Sequence, residues 1–503
     1  MIHDHAEPVS DRVTVSAALV VFGATGDLAS RKLYPALAAL AGRGQLPRRL
    51  VVVGVSRTEL DAADLELRAR RAMVEAGRSQ DELDAFDALD VSFRYVAGNA
   101  GDPDTYGRLS RTLAECDAAQ GTAGNRLYYL ATIPQLFPTI VAGLDDAGLA
   151  AEPAGTFRRL VIEKPFGHDR ASARALNEAL HRGFAEHQIF RIDHYLAKET
   201  VQNILALRFA NAIFEPLWNR RYVDHVQITV AESLGVGHRA TFYEQSGALR
   251  DIVQNHALQV LALMAMEAPA SFEADAIRDE KVKLLRSVQC LTPTAVPPPV
   301  VRGQYAPGIL DGNLVPGYRD EEGVSDTSDV ETYLALTIDI DNWRWSGVPF
   351  YLRTGKRLSR RVTEVVLQYK PVPFLALPPG AVESLEPNAM VLRIQPEEGI
   401  EILFAAKVPG SPFQVRTVPL DFSYRGFAES APEAYERVLF DALLGDATLF
   451  IREDEVDEAW RIVQPLIDAF DAAAVPLHPY PAGSWGPVEA DQLLRHGDRW
   501  RQP

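Results

Sequence analysis

Cysteine is scarce in this chain, and so are the residue patterns that hold a structural metal. Only Cys116 and Cys290 occur among 503 residues, with no CxxC spacing and no cysteine–histidine cluster. This excludes the usual structural zinc motifs, and nothing requires a disulfide between the two cysteines. A reducing cytoplasm is therefore the expected location.

Basic residues and long apolar runs are also in short supply. Lysine and arginine total 51 against 68 aspartate and glutamate residues, which gives a net charge of −17. This balance argues against a nucleic-acid partner, and any site for an anion must be basic locally. No apolar run approaches the roughly 18 residues of a membrane span, so we expect no membrane partner. Residues 1–11 lack the pattern of a signal peptide and are expected to be disordered.

Strand-like and helical segments alternate over the first 190 or so residues. Short apolar runs at 17–22, 50–55, 127–131 and 160–162 are typical of buried parallel strands, and helical sequence separates them. This spacing predicts an α/β, Rossmann-like, doubly wound parallel sheet in an N-terminal dinucleotide-binding domain of residues 1–192.

The remaining residues, 193–503, have a different pattern. Alternating runs at 331–340, 363–369, 390–394 and 399–407 predict a C-terminal α+β domain built on a large, mainly antiparallel sheet with helices. A long helix is expected over 247–266, with Ser246 as its N-cap. The stretch 292–318, rich in proline and glycine, is expected to be an irregular surface excursion.

A glycine-containing turn, Gly23-x-x-Gly26-x-x-Ala29, follows the first predicted strand and precedes a predicted helix. Gly23 permits a tight turn, and Gly26 lets a pyrophosphate approach the backbone. A plain structural turn is the alternative, but the position between strand and helix favours dinucleotide binding.

The end of the second predicted strand indicates which dinucleotide binds. An acid usually ends this strand where NAD is the cofactor. Here Ser56 and Arg57 stand at that place, and a cation suits a 2′-phosphate. We expect NADP, assisted by Thr25 and by Arg31 or Lys32. Use of NAD is left open, and an exposed loop arginine is the alternative for Arg57.

The segment RIDHYLAKE, residues 191–199, predicts an anion site. If a helix begins near Asp193, then His194 and Lys198 lie one turn apart beside unpaired backbone amides. Such a receptor suits a phosphate ester, which indicates a phosphorylated substrate. The alternative is that Asp193 is only an N-cap and Lys198 only a solvated side chain.

His256 is the candidate general base. It falls on the apolar stripe of the predicted 247–266 helix, where a histidine is usually a core residue. A buried imidazole oriented by a carboxylate is also what base catalysis needs. Asp251 faces a different side of a helix, so Asp193 is the expected orienting acid. Lys164 follows the strand 160–162, and Pro165 holds it extended at the ligand-binding end of the sheet.

These residues together predict a reaction. The imidazole removes a proton from a sugar hydroxyl, and the carbon that bears this hydroxyl passes a hydride to a nicotinamide. Because histidine accepts the proton and the cofactor accepts the hydride, we expect no metal.

Ordered motifs over nearly the whole chain resemble those of the glucose-6-phosphate dehydrogenase family. They are GATGDLASRKLYP, EKPFG, RIDHYLAKE, FEPLWNR, GALRDIVQNH, IRDEKVKLLRS, RTGKRL and SWGP. The resemblance implies NADP-dependent oxidation of glucose 6-phosphate at C1 to 6-phosphogluconolactone, the first step of the oxidative pentose phosphate pathway. It also implies homodimers or homotetramers formed through the large sheet.

The resemblance implies a role for each residue that matches a family motif. His256 is the general base, and Asp193 orients it. The phosphate ligands are His194, Tyr195 and Lys198. The sugar contacts are Lys164, Glu232, Asp251 and Lys356. Arg361 stands at a second basic substrate contact, although adjacent Arg360 leaves that assignment open. The cofactor residues are Gly23, Ala24, Thr25, Gly26, Asp27, Leu28, Arg57 and Lys164.

Three positions depart from the family pattern. Ala197 replaces a glycine of RIDHYLGKE, Ile133 replaces the first proline of an ATPP stretch, and Thr241 replaces a glycine. We expect them to alter substrate affinity and cofactor preference more than the reaction type. Two alternatives stay open: a dehydrogenase of unphosphorylated sugars, and a redox-sensing regulatory protein that binds a dinucleotide without turnover.

Overall fold

A parallel sheet organises the first half of the chain. The computed structural model describes residues 12–294, 299–378, 381–382, 385–410, 413–424 and 433–503, so the disorder expected for residues 1–11 lies outside the described residues. The strands are β1 (Ala17–Phe22), β2 (Arg49–Ser56), β3 (Asp90–Ala97), β4 (Arg126–Leu130), β5 (Arg158–Ile162) and β6 (Ile189–Ile192). They lie in the order β3-β2-β1-β4-β5-β6, all parallel. This is the order of a Rossmann sheet, and the predicted fold of this half is confirmed.

Helices cover both faces of this sheet. They are α1 (Tyr34–Gly42), α2 (Ala62–Glu75), α3 (Gln80–Asp87), α4 (Pro103–Gln120), α5 (Phe137–Asp146) and α6 (Arg170–Leu180). Along β1, Val20 packs into one hydrophobic core cluster and Leu19 into another, because alternate side chains point to opposite faces. Burial on both faces explains why these strands read as continuous apolar runs.

The second half is built on a nine-stranded sheet. Its helices are α7 (Glu199–Phe209), α8 (Ala240–Ala248), α9 (Leu258–Ala265), α10 (Ala274–Ser287), α11 (Ala434–Leu444) and α12 (Glu453–Asp471). The strands of this half are β7 (Val223–Ala231), β8 (Val300–Ala306), β9 (Gly308–Leu310), β10 (Asn313–Val315), β11 (Tyr333–Ile338), β12 (Phe350–Gly355), β13 (Val362–Tyr369), β14 (Ala389–Gln395), β15 (Gly399–Lys407), β16 (Val415–Ser423), β17 (Phe450–Ile451) and β18 (Leu477–Pro481).

The nine strands lie in the order β16-β15-β14-β13-β7-β12-β11-β8-β18, while β9 and β10 form a separate hairpin. Only the pairs β7–β12 and β8–β18 are parallel, so the prediction of a large, mainly antiparallel sheet is confirmed. The short strand β17 pairs antiparallel with β6 at the edge of the first sheet. The second half therefore completes the first sheet.

Three local predictions were wrong. The stretch 292–318 is not only a surface excursion, because it contains β8, whose first six residues are buried. The helix expected from Asp193 begins at Glu199, and a turn precedes it. The range 247–266, expected to be one helix, is divided among three consecutive segments: the end of α8, a π-helical segment Leu249–Ala257, and α9.

Ser246 is not the N-cap that the sequence suggested. Its hydroxyl donates back to the carbonyl oxygen of Phe242 at 3.2 Å, inside α8. Among the residues that the structure describes, none of the helices has both the length and the apolar character that crossing a membrane requires.

Candidate active site

His256 and Asp193 form a buried pair. Nδ1 of His256 lies 2.5 Å from Oδ1 of Asp193, and each side chain is 1% exposed. The amide of Tyr195 donates to the same carboxylate oxygen at 2.9 Å. Burial by itself raises the pKa of Asp193, but the imidazole of His256 more than offsets this, so the pKa lies well below its usual range. Asp193 is therefore an anion that holds the imidazole from one side.

Lys164 contacts the other ring nitrogen of His256. Its Nζ lies 2.9 Å from Nε2 and also donates to the backbone carbonyl (2.9 Å) and Oδ1 (3.2 Å) of Asp251. An ammonium group only donates, so this contact makes Nε2 the acceptor and leaves the ring proton on Nδ1, facing Asp193. Burial lowers the pKa of His256, Asp193 opposes this shift, and Lys164 adds to it. The neutral imidazole is thus in the form that accepts a proton at Nε2.

The π-helical segment brings Asp251 and His256 to the same ligand. In an α-helix, residues five apart face different sides, which is why the sequence separated the two side chains. In a π-helix the backbone hydrogen bonds join residues i and i+5, so residues five apart are neighbours along one face. Both side chains contact Lys164 for this reason. Such segments frequently occur at functional sites.

A cationic cavity of about 600 Å³ lies beside the His–Asp pair. His194, Lys198 and Arg361 are among the residues that line it, whereas Arg360 is not. Burial and the charge of Arg361 lower the pKa of Lys198 to about 8. Burial lowers the pKa of His194 to about 3, so this imidazole is neutral and can donate one hydrogen bond. Lys32 and three acids, Glu199, Glu398 and Glu433, line the cavity as well. His194, Lys198 and Arg361 are the side chains in it that suit a phosphate.

Gln395 links two of these cations, and the sequence analysis missed it. Its Oε1 accepts from Nζ of Lys198 at 2.8 Å and from the guanidinium of Arg361 at 3.3 Å, while its Nε2 donates to Thr363. A neutral amide holds both cations without cancelling their charge. Gln395 is the last residue of β14 and follows directly on the predicted strand 390–394. This position at the end of a strand was the sequence signal that could have identified it as a site residue.

Tyr195 lies against His256 instead of lining the cationic cavity. Its ring stacks on the imidazole with centroids 4.3 Å apart and planes 18° apart. Nζ of Lys198 lies over the Tyr195 ring, 3.8 Å from its centre. Tyr195 therefore connects the cationic cavity to the His–Asp pair through packing.

Glu232 and Lys356 meet where β7 and β12 end. These two strands run parallel, with Ala231 opposite Gly355, so the residues that follow them are neighbours. Nζ of Lys356 lies 2.5 Å from Oε2 of Glu232. Burial raises the pKa of Asp251, but Lys164 and Lys356 more than offset this and keep it below its usual value. Alternating charges in this cluster suit the hydroxyl groups of a sugar.

A larger cavity of about 1120 Å³ is lined by Lys164, Asp251 and Ile133, among others. Ile133, one of the three departures from the family pattern, is 62% exposed and faces this cavity. Ala197 is buried in the second core cluster and does not line the cationic cavity. Thr241 is exposed on α8.

The glycine turn fits a dinucleotide. Gly23 has a φ of +81°, and a Cβ there would lie 2.4 Å from the carbonyl oxygen of Ala131. The turn therefore sits tightly between the ends of β1 and β4, where the strand order reverses and ligands bind in such sheets. Ala24 is buried, Asp27 pairs with Arg31 at 3.5 Å, and Leu28 packs against the second core cluster.

The end of β2 presents hydroxyl and cationic groups. Thr25 Oγ1 and Ser56 Oγ are 2.8 Å apart, and the exposed Arg57 follows directly. The guanidinium of Arg68 also reaches the carbonyl oxygen of Thr25 at 3.4 Å. These groups fit the 2′-phosphate of NADP. Lys164 lies at the same C-terminal edge of the sheet, where it follows β5.

This architecture is that of the nicotinamide-dependent oxidoreductases, with an anion site beside a His–Asp pair. The family model described as the NAD binding domain of glucose-6-phosphate dehydrogenase matches residues 20–203, and the model of its C-terminal domain matches residues 205–501. The chain belongs to the glucose-6-phosphate dehydrogenase family.

Relatives and solved structures agree with this assignment. The chain is 46% identical over 504 residues to glucose-6-phosphate 1-dehydrogenase 2 of Mycobacterium tuberculosis, covering 100% of this chain and 98% of that protein. It is 46% identical to the glucose-6-phosphate 1-dehydrogenase of Aggregatibacter actinomycetemcomitans, covering 96% and 97%. A solved glucose-6-phosphate dehydrogenase in complex with glucose 6-phosphate superposes with a TM-score of 0.88 at 33% identity, covering 98% and 99% of the chains.

Proposed function

We propose that this protein oxidises D-glucose 6-phosphate at C1 to 6-phospho-D-glucono-1,5-lactone and reduces NADP, the first step of the oxidative pentose phosphate pathway. The membership of the family supports the reaction, and one observation carries the mechanism. A neutral, buried imidazole, fixed by Asp193 and with Nε2 directed at Lys164, lies beside a cavity with cationic side chains.

His256 is the general base in this proposal. Its Nε2 takes the proton of the C1 hydroxyl, which must replace Lys164 as the partner of that nitrogen. Bound NADP supplies the hydride acceptor. As the C1–H bond breaks and the C1 oxygen becomes a carbonyl, His256 becomes an imidazolium, and the anion of Asp193 stabilises this charge. General-base assistance of this kind contributes roughly 10²–10⁴ to a rate.

The substrate residues divide into two groups. His194, Lys198 and Arg361 hold the phosphate, with Gln395 between the two cations and Tyr195 as a contact beside the base. Lys164, Glu232, Asp251 and Lys356 hold the sugar hydroxyls. In this arrangement the bound phosphate tethers the sugar, so that the C1 hydroxyl is oriented toward Nε2 of His256.

The cofactor site consists of Gly23, Ala24, Thr25, Gly26, Asp27 and Leu28 together with Arg57 and Lys164. Arg57, Thr25 and Ser56 favour NADP, because a hydroxyl pair and a cation complement a 2′-phosphate and offer NAD no special partner. Use of NAD as a second cofactor remains within the proposal.

Assembly, location and domain boundary complete the proposal. We infer a homodimer or homotetramer formed through the large sheet, because Phe404, Leu420 and Phe422 on β15 and β16 are at least 36% exposed. Two free cysteines, Cys116 and Cys290, fit a cytoplasmic location. The boundary falls after residue 192, where β6 ends.

Initial rates with glucose 6-phosphate and with glucose test the reaction, each with NADP and with NAD. We expect reduction of NADP with glucose 6-phosphate at a kcat/KM far above that for glucose. Equal values for both sugars would contradict the phosphate site and support a dehydrogenase of unphosphorylated sugars. Binding of NADP without reduction by any sugar phosphate would support the regulatory alternative.

A further inference from the structure

The helical chain is interrupted at Gly247, directly before the π-helical segment Leu249–Ala257. Gly247 has a φ of 59° and a ψ of −177°, and this pair of backbone angles is not helical. The amides of Ala248 and Leu249 therefore begin a new helical segment and need partners from outside it. Without such partners, this end of the segment would not be fixed in position.

Glu331, which precedes β11, supplies both partners. Its backbone carbonyl oxygen accepts from the amide of Ala248 at 3.0 Å, and its Oε1 accepts from the amide of Leu249 at 3.0 Å. The residue is 5% exposed. Burial raises the pKa of Glu331, and the amide of Leu249 opposes this shift by stabilising the carboxylate. Glu331 thus performs the work of an N-cap from a distant part of the chain.

The carboxylate of Glu331 packs closely against the backbone at Gly247. A Cβ on Gly247 would lie 2.3 Å from Oε1 of Glu331 and 2.9 Å from Oε2. The positive φ favours glycine at this position, and the lack of a side chain lets the carboxylate approach without having to shift. The height and rotation of the π-helical segment are set by this close packing.

The next residue, Thr332, holds a second part of the site. Its carbonyl oxygen accepts from the amide of Lys356 at 2.9 Å. The hydroxyl of Tyr480 donates to the carbonyl oxygen of Lys356 at 2.7 Å and lies 3.0 Å from Oγ1 of Thr332. Two consecutive residues, Glu331 and Thr332, therefore connect the segment that carries Asp251 and His256 with the backbone of Lys356.

We propose that Glu331 is a positioning residue for the oxidation, which fixes the N-terminal end of the π-helical segment so that His256 meets Asp193. This inference rests on the proposed function. His256 lies seven residues after Leu249 on that segment, and its contact with Asp193 is short. A displacement of about 1 Å at a catalytic group is enough to lower a rate about 10²-fold.

Two substitutions at Glu331 separate positioning from stability. Glu331→Ala leaves the amide of Leu249 without an acceptor, and we expect kcat to fall at least about tenfold with little change in the KM for NADP. Glu331→Gln keeps an oxygen that accepts from this amide, and we expect it to restore most of the lost kcat. A role in stability alone would lower the melting temperature and leave kcat per folded molecule unchanged in both variants, which would overturn the inference.

Asp102→Ala is the matched control. Asp102 caps α4, with the amide of Asp104 donating to its Oδ1 at 3.1 Å, and its other polar contacts are with Asn99, Thr105 and Arg108. We expect it to lower stability without a loss of kcat; an equal loss of kcat would overturn the positioning role of Glu331. If Glu331→Ala does not fold, Glu331→Asp takes its place. Its side chain is one methylene shorter, so the carboxylate no longer reaches the amide of Leu249, and we expect the same fall in kcat.

The wild-type protein is assayed first with glucose 6-phosphate and NADP. Absence of wild-type turnover would refute the proposed function. An active wild type, with kcat unchanged in folded Glu331→Ala, would refute only the positioning role.

Discussion

Asp251 and His256 lie five residues apart on the π-helical segment, and both contact the ammonium group of Lys164. Regular α-helical geometry would direct one of the two away from the site. The π-helical turns rotate them onto one face, and the conformation of Gly247 allows the segment to begin where it does. The local backbone geometry thus brings His256, Lys164 and the carboxylate of Asp251 together.

Removal of the base tests the mechanism most directly. We expect His256→Ala to lower kcat by about 10²–10⁴, because Asp193 cannot take the proton at the same position. Binding of NADP, measured by fluorescence or calorimetry, should stay close to that of the wild type. An equal loss of binding and turnover would mean that His256 has a structural role only.

Asp193 opposes the largest influence on the pKa of His256, which is burial. Its anion raises the pKa of His256 against the effect of burial. In Asp193→Asn the pKa of His256 should therefore fall, so the acidic limb of the kcat/KM profile moves to lower pH. The plateau should also fall at least about tenfold because the imidazolium loses its counter-charge. A limb that moves to higher pH would contradict this arrangement.

Lys198 should make the use of phosphorylated substrate dependent on pH. Its pKa is lowered to about 8, so the ammonium that we propose to bind the phosphate is present below this pH and is lost as the pH rises through it. We expect kcat/KM for glucose 6-phosphate to fall above about pH 8 for the wild type.

Lys198→Arg keeps its charge at all these pH values, so the alkaline decline should be absent or move to higher pH. Lys198→Ala should weaken the use of glucose 6-phosphate while changing the slow reaction with glucose little. An unchanged kcat/KM for glucose 6-phosphate in Lys198→Ala would refute the phosphate contact.

Arg57 should discriminate between the two dinucleotides. We expect Arg57→Ala to raise the KM for NADP about tenfold, which corresponds to about 1.4 kcal/mol, because the charge beside the 2′-phosphate is lost. The KM for NAD should stay the same, since NAD lacks this phosphate. Equal changes for both cofactors would indicate a general disturbance of the turn.

The buried pair of Lys281 and Glu455 should contribute to stability and not to catalysis. Nζ and Oε2 lie 2.7 Å apart, with side chains 1% and 0% exposed, between α10 and α12. Lys281→Met leaves a buried carboxylate without its counter-charge, and we expect the free energy of unfolding to fall by about 3–5 kcal/mol.

Lys283→Met on the same helix is the control for that change. Its side chain is 63% exposed, so the change should stay within about 0.5 kcal/mol. Denaturant unfolding measures both variants. A loss below about 1 kcal/mol for Lys281→Met would show that the pair is not important for stability.

The sequence predicted much of the fold because its signals are local. Apolar runs separated by helical sequence identify β1, β2, β4 and β5, since strands of a parallel sheet covered on both faces read as continuous apolar runs. The sequence did not identify β7, β8 and β12, because they are almost wholly buried and yet carry polar residues such as His225, Arg302 and Arg353, so they form no continuous apolar run. In β8 the neighbouring proline and glycine residues made the misreading worse.

The sequence by itself determined which chemical groups this protein has: a turn shaped by Gly23, a cation after β2, and the cluster of Asp193, His194 and Lys198. These follow from residue identity and short spacing. Only the tertiary structure decided which groups meet. His256 pairs with Asp193 across 63 positions, and Lys198 reaches Gln395 across 197. Packing between sheets and helices sets such contacts, and no local periodicity encodes them. The π-helical geometry belongs with them, because Glu331 contacts its beginning from the segment before β11.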